Sequence, residues 1–161
     1  MNEKDLEVQN YESNLKLHYE SKRKELEMLI TSSMPNQLSN IKTLLWFNVA
    51  SMALLFKQFD SIDLLQKAYL VLVAASIILL IFAMLIARQK DYGSPEDVTL
   101  ASKYVDGKWK QAQFILDLLG TTQSAILFNR TVVSSRAKLM NIATLFTFFA
   151  TIYLILLIFN T

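Results

Sequence analysis

Residues 68–87 read AYLVLVAASIILLIFAMLIA, twenty residues without a charge. At about 1.5 Å of rise per residue, an α-helix of this length crosses the roughly 30 Å hydrocarbon core of a bilayer. Twelve of the twenty residues are Leu, Ile, Val or Phe, and each of these favours insertion by roughly 0.3–0.6 kcal/mol near the membrane centre. The stretch therefore predicts a transmembrane helix.

Two further segments are candidates for membrane spans. Residues 139–159, LMNIATLFTFFATIYLILLIF, form a second clear span near the end of the chain. Residues 41–56 are shorter and reach only about 24 Å, although lysines at both ends can snorkel and lengthen the span. A surface-lying amphipathic helix is the alternative for this segment. The short connection of residues 57–67 to the strongest span favours a helical hairpin.

The composition argues against catalysis. The chain has 161 residues, 53% of them hydrophobic, with no Cys, one His and three Gly. It therefore has no disulfide, no thiolate metal site and no Gly-rich phosphate loop, and His18 suits helix packing better than metal binding. We expect no enzymatic activity, no cofactor and no metal.

The placement of Lys and Arg predicts the topology. Six lie before Leu44, two flank the 57–67 connection, and eight lie within residues 88–138. Because short cytoplasmic segments carry an excess of Lys and Arg, both large polar segments are expected in the cytoplasm. The chain would then cross the membrane three times, with a cytoplasmic N-terminus and an external C-terminus.

The two polar segments are predicted to be helical. Residues 3–30 lack Gly and Pro and carry apolar side chains at helical spacing, which predicts a long amphipathic helix. Pro35 should end it near residues 31–33. In the second polar segment, Gly120 is expected to stop one helix before another begins at Thr122 and continues into the last span. The stripe of the first helix consists of Tyr11, Leu15, Tyr19, Leu26 and Ile30.

The predicted fold is an all-α membrane protein with four regions. Residues 1–34 form a cytoplasmic amphipathic helix, and residues 35–90 form a transmembrane helical hairpin. Residues 91–138 form a cytoplasmic helical segment between spans two and three, and residues 139–161 form the third transmembrane helix.

Polar side chains within the spans are the first candidate functional site. A polar group in hydrocarbon must find a partner or water, and these groups recur at spacings of three and four on one helix face. They either bond neighbouring helices together or line a water-filled pore or gate, and the sequence leaves both interpretations open. The pore-lining candidates are Asn48, Ser51, Asn141, Thr144, Thr147 and Thr151.

A basic and aromatic stretch within residues 103–110 is the second candidate site. Stacking and phosphate contact would allow such a patch to bind a nucleotide, whereas Trp, Tyr and Lys also collect at membrane interfaces. The interface interpretation is the favoured one. The residues concerned are Lys103, Tyr104, Lys108, Trp109 and Lys110.

The arrangement resembles a known family. The run LSNIKTLLWFNVAS at residues 38–51 precedes a strong span, a helical stretch, and the run NRTVVSSRAK at residues 129–138 that leads into the last span. This layout resembles the Pycsar-effector transmembrane domain, found among small membrane effectors of bacterial anti-phage defence. The matching features are Lys42 six residues before Asn48 and the basic residues before the last span. The chain departs from the family in lacking a recognisable cyclic-nucleotide-binding domain.

The resemblance implies a function at the bacterial inner membrane. It implies an effector that forms a homo-oligomer in the lipid bilayer and acts as a gated channel or disrupts the membrane. A nucleotide signal or a cytoplasmic sensor protein would be its partner. The alternative from the residues alone is a non-conducting membrane anchor or scaffold subunit, because the apolar stripe of residues 3–30 needs a partner surface that buries it.

Overall fold

The computed structural model describes residues 3–58, 64–86 and 111–159, and nearly all of them are helical. Helix α1 spans Glu3–Met28, a π-helical segment spans Leu29–Ser33, and α2 spans Met34–Gln58. Helix α3 spans Leu64–Leu85, and α4 spans Gln111–Phe159. Three helical stretches are long and apolar enough to cross a membrane: Gln9–Lys57, Gln66–Leu85 and Gln111–Phe159. Within the described residues, the prediction of a helical protein with three such helices is confirmed.

The chain divides into two compact units. The first unit comprises Met1–Met34 and Gln89–Thr131, and the second comprises Pro35–Arg88 and Val132–Thr161. Each unit therefore combines two separate stretches of the sequence, and α4 contributes its beginning to one unit and its end to the other.

The first unit packs α1 and the π-helical segment against the beginning of α4. Leu26, Ala125 and Ile126 are buried together, with Leu29 and Ile30 against them.

Glu25 joins the two elements of the first unit electrostatically. Its carboxylate pairs with Lys22 on the same helix and with Arg130 on α4. The hydrogen bond from Lys22, followed by the charge of Arg130, lowers the pKa of the Glu25 carboxyl, against the opposing effect of burial. The pair is partly solvent-exposed, so its contribution to stability is small.

The helix does not end before Pro35 in the way the sequence predicted. A π-helical segment occupies Leu29–Ser33, and the backbone N–H of Met34 donates to the carbonyl of Leu29. Pro35 has no N–H, and its ring crowds the carbonyl four residues earlier. A single wider turn relieves this conflict, so the backbone stays helical through the segment.

Gly120 likewise does not stop a helix, which corrects the sequence expectation. Helix α4 continues through it, and the hydroxyls of Thr121 and Ser124 donate to preceding helix carbonyls, those of Leu118 and Gly120. One interior glycine costs only about 1 kcal/mol relative to alanine. Burial of neighbouring side chains at helical spacing, including Leu118 and Ala125, outweighs that cost.

The second unit packs α2, α3 and the end of α4 together through two apolar layers. One apolar layer contains Ile41, Leu80, Ala83 and Ala143, and the other contains Leu55, Tyr69, Val73, Ala150 and Leu154. The order of these residues along the chain is the same in α2 and α4 and reversed in α3. Helix α3 therefore runs antiparallel to both of its neighbours.

Candidate functional site

A cluster of polar side chains lies between the two apolar layers of the second unit. We call it the polar cluster, and it consists of Asn48 and Ser51 on α2, Tyr69 and Ser76 on α3, and Thr147 on α4. All five side chains are buried, with Ser76 fully inaccessible and Asn48 only 1% exposed. Each of the three apolar segments contributes a residue from near its middle, so the polar cluster lies near half the depth of the predicted spans.

Asn48 is the centre of this network. Its Nδ2 lies 3.1 Å from the hydroxyl of Ser76 and 3.1 Å from the hydroxyl of Thr147. The Thr147 hydroxyl lies 3.2 Å from Asn48 Oδ1. A single amide thus connects α2 to both other helices.

One assignment of protons satisfies every polar atom around Asn48. Its two amide hydrogens go to the hydroxyl oxygens of Ser76 and Thr147, and the Thr147 hydroxyl donates to Asn48 Oδ1. The Ser76 hydroxyl then donates to the Thr147 hydroxyl at 2.8 Å. Because an unsatisfied buried polar group costs about 1–3 kcal/mol, this closed set of bonds stabilises the packing of the three helices.

Ser51 and Tyr69 extend the network toward the second apolar layer. The Tyr69 hydroxyl donates to Ser51 Oγ at 2.7 Å, and the Ser51 hydroxyl donates to the backbone carbonyl of Asn48 at 2.8 Å. Tyr69 has no exposed surface, so its ring packs in the apolar layer while its hydroxyl reaches the polar cluster. This division suits an amphipathic aromatic side chain.

The structure places the six pore-lining candidates in three environments: buried, half-buried and exposed. Asn48, Ser51 and Thr147 are brought together in the polar cluster, whereas Asn141 and Thr144 are exposed on α4. Thr151 is half-buried and donates to the Thr147 carbonyl at 2.8 Å, and Thr144 donates to the Met140 carbonyl at 2.8 Å. Their assignment to a pore lining stays a prediction.

The basic and aromatic candidates cannot be placed. Lys103, Tyr104, Lys108, Trp109 and Lys110 all lie outside the residues that the structure describes. Their role as a ligand site or membrane interface remains an expectation from the sequence.

Sequence reasoning missed Ser76 and Tyr69. Both lie in the strongest apolar span, where one serine and one tyrosine attract little attention. They are seven residues apart, which is two helical turns, so they share a face. That spacing was the available signal, because two polar groups on one face of an apolar helix indicate a polar partner on another helix.

Arg136 forms a second polar contact in this unit. Its guanidinium donates to the carbonyl of Ile86 at 2.9 Å, immediately after the end of α3. The last carbonyls of a helix have no partner within it and carry partial negative charge. A buried arginine at this position therefore caps α3 and links it to α4.

The outer surface of the second unit is apolar, which reverses the pattern of a soluble protein. Large hydrophobic side chains are exposed on all three helices, while the amide and hydroxyl groups of the polar cluster are buried. Contiguous exposed apolar surface on this scale is typical of contact with lipid or with other protein chains. The exposed side chains include Trp46, Phe47, Leu54, Phe56, Val71, Ile78, Ile81, Phe82, Leu145, Phe148, Phe149, Ile155 and Leu156.

Comparison with known proteins gave no relative: no family model, curated protein or solved structure matches this chain.

Proposed function

We propose that this chain is a membrane effector of bacterial anti-phage defence that assembles from several copies in the inner membrane. In its active state the assembly opens a gated path through the bilayer or disrupts it. The observation that carries the proposal is the polar cluster, which sets amide and hydroxyl groups in the middle of three apolar helices. The family resemblance described above supplies the biological setting.

The described arrangement suits the closed state of a gate. Asn48, Ser76 and Thr147 bond to one another, so these three polar side chains near the middle of the unit are satisfied without water. Opening would exchange these mutual bonds for bonds to water, which costs little because both states satisfy the same groups. A purely apolar interior would offer no such exchange.

Several copies are needed because three packed helices enclose no channel of their own. An axis between copies would be lined by outward-facing residues of the second unit. Asn141 and Thr144 are exposed polar residues on α4, and they lie three residues apart on one face. They are the candidates for such an axis.

The first unit is the proposed receiver of the signal in the cytoplasm. It shares α4 with the second unit, so a partner that displaces α1 from α4 would act on the same helix that carries Thr147. A cytoplasmic sensor protein or a nucleotide signal is the proposed partner.

Ion flux in liposomes tests the gate directly. The decisive variant combines Asn48→Leu with Ser51→Ala, where alanine is chosen because the Tyr69 hydroxyl lies 2.7 Å from Ser51 Oγ. If these groups meet water in the open state, the variant should assemble normally and lose its flux, because a dried constriction blocks ions. Thr43→Val controls for removal of a hydroxyl from the same helix, because the exposed Thr43 hydroxyl donates only to the Ser39 carbonyl one turn earlier, at 3.0 Å.

Native mass measured on the same samples separates the outcomes. Lost flux with unchanged mass supports the gate. Normal flux from an intact oligomer of the double variant would rule out the Asn48 face as the gate, and reduced mass would assign these residues to helix association instead.

The proposed orientation has its own test. The Lys and Arg distribution predicts a cytoplasmic N-terminus and an external C-terminus. A reporter fused after Thr161 should therefore be active only outside the cytoplasm. Cytoplasmic activity of that fusion would contradict a three-span topology.

A non-conducting anchor or scaffold subunit is the second candidate function. It is favoured by exposed apolar side chains on α1, namely Tyr11, Leu17 and Met28, which are 54%, 62% and 65% exposed. These exposed apolar side chains would be available to a cytoplasmic partner. Planar-bilayer recording of the purified oligomer discriminates the two functions, because an anchor conducts under no condition.

A further inference from the structure

An open groove lies on one face of α2 in the second unit. It has a volume of about 270 Å³, and its described lining is almost entirely apolar apart from one cation. The lining residues are Lys42, Leu45, Trp46 and Val49.

The four lining residues follow one another along the helix axis. They occupy positions i, i+3, i+4 and i+7, so they share a face over about 10 Å of helix. Lys42 is at the end of the apolar segment, and Val49 is near its middle. The groove therefore has a charged end at the predicted membrane boundary and an apolar end within the predicted hydrocarbon region.

The charge of Lys42 is available to a ligand. The residue is exposed, and no carboxylate forms an ion pair with it in the part of the chain that the structure describes. Trp46 is 75% exposed and lies one turn further along the helix. Tryptophan side chains are enriched near membrane interfaces. Both groups thus face outward, with Lys42 at the predicted headgroup level and Trp46 about 6 Å further into the predicted hydrocarbon region.

We propose that this groove is a binding site for an anionic phospholipid. The Lys42 ammonium binds the headgroup phosphate, and one acyl chain lies along Leu45, Trp46 and Val49. Charge complementarity and the polarity gradient along the groove select this occupant, because a zwitterionic lipid fits the apolar end equally well but gains less from the cation. The inference rests on α2 lying in a bilayer and is independent of any conducting activity.

Trp46 offers a direct readout of the bound lipid. The chain has two tryptophans, so Trp109→Phe leaves Trp46 as the single fluorescent reporter. Vesicles would contain phosphatidylcholine with a minor fraction of phosphatidylglycerol, and bromine would be placed on the acyl chains of one lipid or the other. Since brominated chains quench tryptophan on contact, quenching at equal mole fractions compares the occupancy of the two lipids.

Three variants in the Trp109→Phe background test the role of the cation. Lys42→Gln removes the charge, Lys42→Arg retains it, and Lys57→Gln removes an equal charge at the opposite end of α2. A single lysine near an anionic lipid shifts occupancy about fivefold. We expect brominated phosphatidylglycerol to be enriched by about that factor at Trp46 in the parent, Lys42→Arg and Lys57→Gln proteins, and to lose its advantage in Lys42→Gln.

Each other outcome overturns the proposal. Equal occupancy of the two lipids in the parent would show that the groove does not select charge, and an enrichment that survives Lys42→Gln would assign selectivity to another group. Absence of quenching by either lipid would place Trp46 outside the hydrocarbon, which would also remove the membrane span on which the proposed function depends. Equal quenching by both lipids would leave the proposed function unaffected.

Discussion

Thr147→Val should destabilise the second unit selectively, because it removes a hydroxyl that bonds two other helices. The variant keeps the side-chain shape nearly unchanged. It deletes the contacts of Thr147 with Asn48 and with Ser76, at 3.1 Å and 2.8 Å. It also leaves Asn48 Oδ1 without the donor that reaches it at 3.2 Å.

The magnitude follows from these contacts. An interhelical hydrogen bond in a membrane contributes about 0.6 kcal/mol on average and about 1.7 kcal/mol at most. Loss of bonds to two helices, together with an unpaired amide oxygen in the interior, gives an expected decrease in the free energy of unfolding of about 1–2 kcal/mol.

Thr144→Val is the matched control, three residues earlier on the same helix. Its hydroxyl is exposed and donates to the Met140 carbonyl of its own helix, so the change should stay within about 0.5 kcal/mol. Reversible unfolding in mixed micelles with increasing SDS, followed by circular dichroism, measures both variants. The reasoning is refuted if the two variants have the same unfolding free energy.

The remaining predictions concern both units. Because the folded pKa of Glu25 is lowered, its contribution is fully present above the ordinary carboxyl pKa and is lost as the pH falls through the lowered value. The protection factors of the α1 amides, which correct for the slower intrinsic exchange at low pH, should therefore fall at acidic pH in the parent, and Glu25→Gln should show a smaller fall. Arg136→Gln should accelerate amide exchange in the last turn of α3, where the Ile86 carbonyl loses its cap, with Arg136→Lys closer to the parent; unchanged exchange would count against the cap. Gly120→Ala should stabilise α4 by about 0.5–1 kcal/mol, because an added Cβ there has no heavy atom within 4 Å; a lower melting temperature would contradict this.

The sequence was sufficient for the helical class and for the three apolar helices. Long runs of Leu, Ile, Val and Phe leave the backbone no alternative to intrahelical hydrogen bonds in hydrocarbon, so their interpretation needs no tertiary information. The sequence did not predict the π-helical segment before Pro35 or the continuation of α4 through Gly120. A glycine at position 120 stops a helix in one context and is tolerated in another, and burial of the surrounding side chains decides between them.

The candidate site was predictable only in part. Asn48 and Thr147 were recognisable as polar residues in apolar spans, but their partner Ser76 was not identified. Which face of α3 meets which face of α2 depends on the register of the packed helices, and a single sequence does not contain that register. The same limit explains why the exposed Thr144 and the buried Thr147 were assigned to one stripe.

The closed hydrogen-bond pattern around Asn48 has a consequence for biogenesis. During synthesis α2 and α3 emerge long before α4, so the amide of Asn48 meets Ser76 first and has no donor for its Oδ1 until Thr147 arrives. The hairpin formed by α2 and α3 is therefore an incomplete product that retains an unpaired polar atom in the bilayer. Packing of α4 brings the Thr147 hydroxyl to that oxygen, so the polar groups of the hairpin are satisfied only after the third helix has joined it.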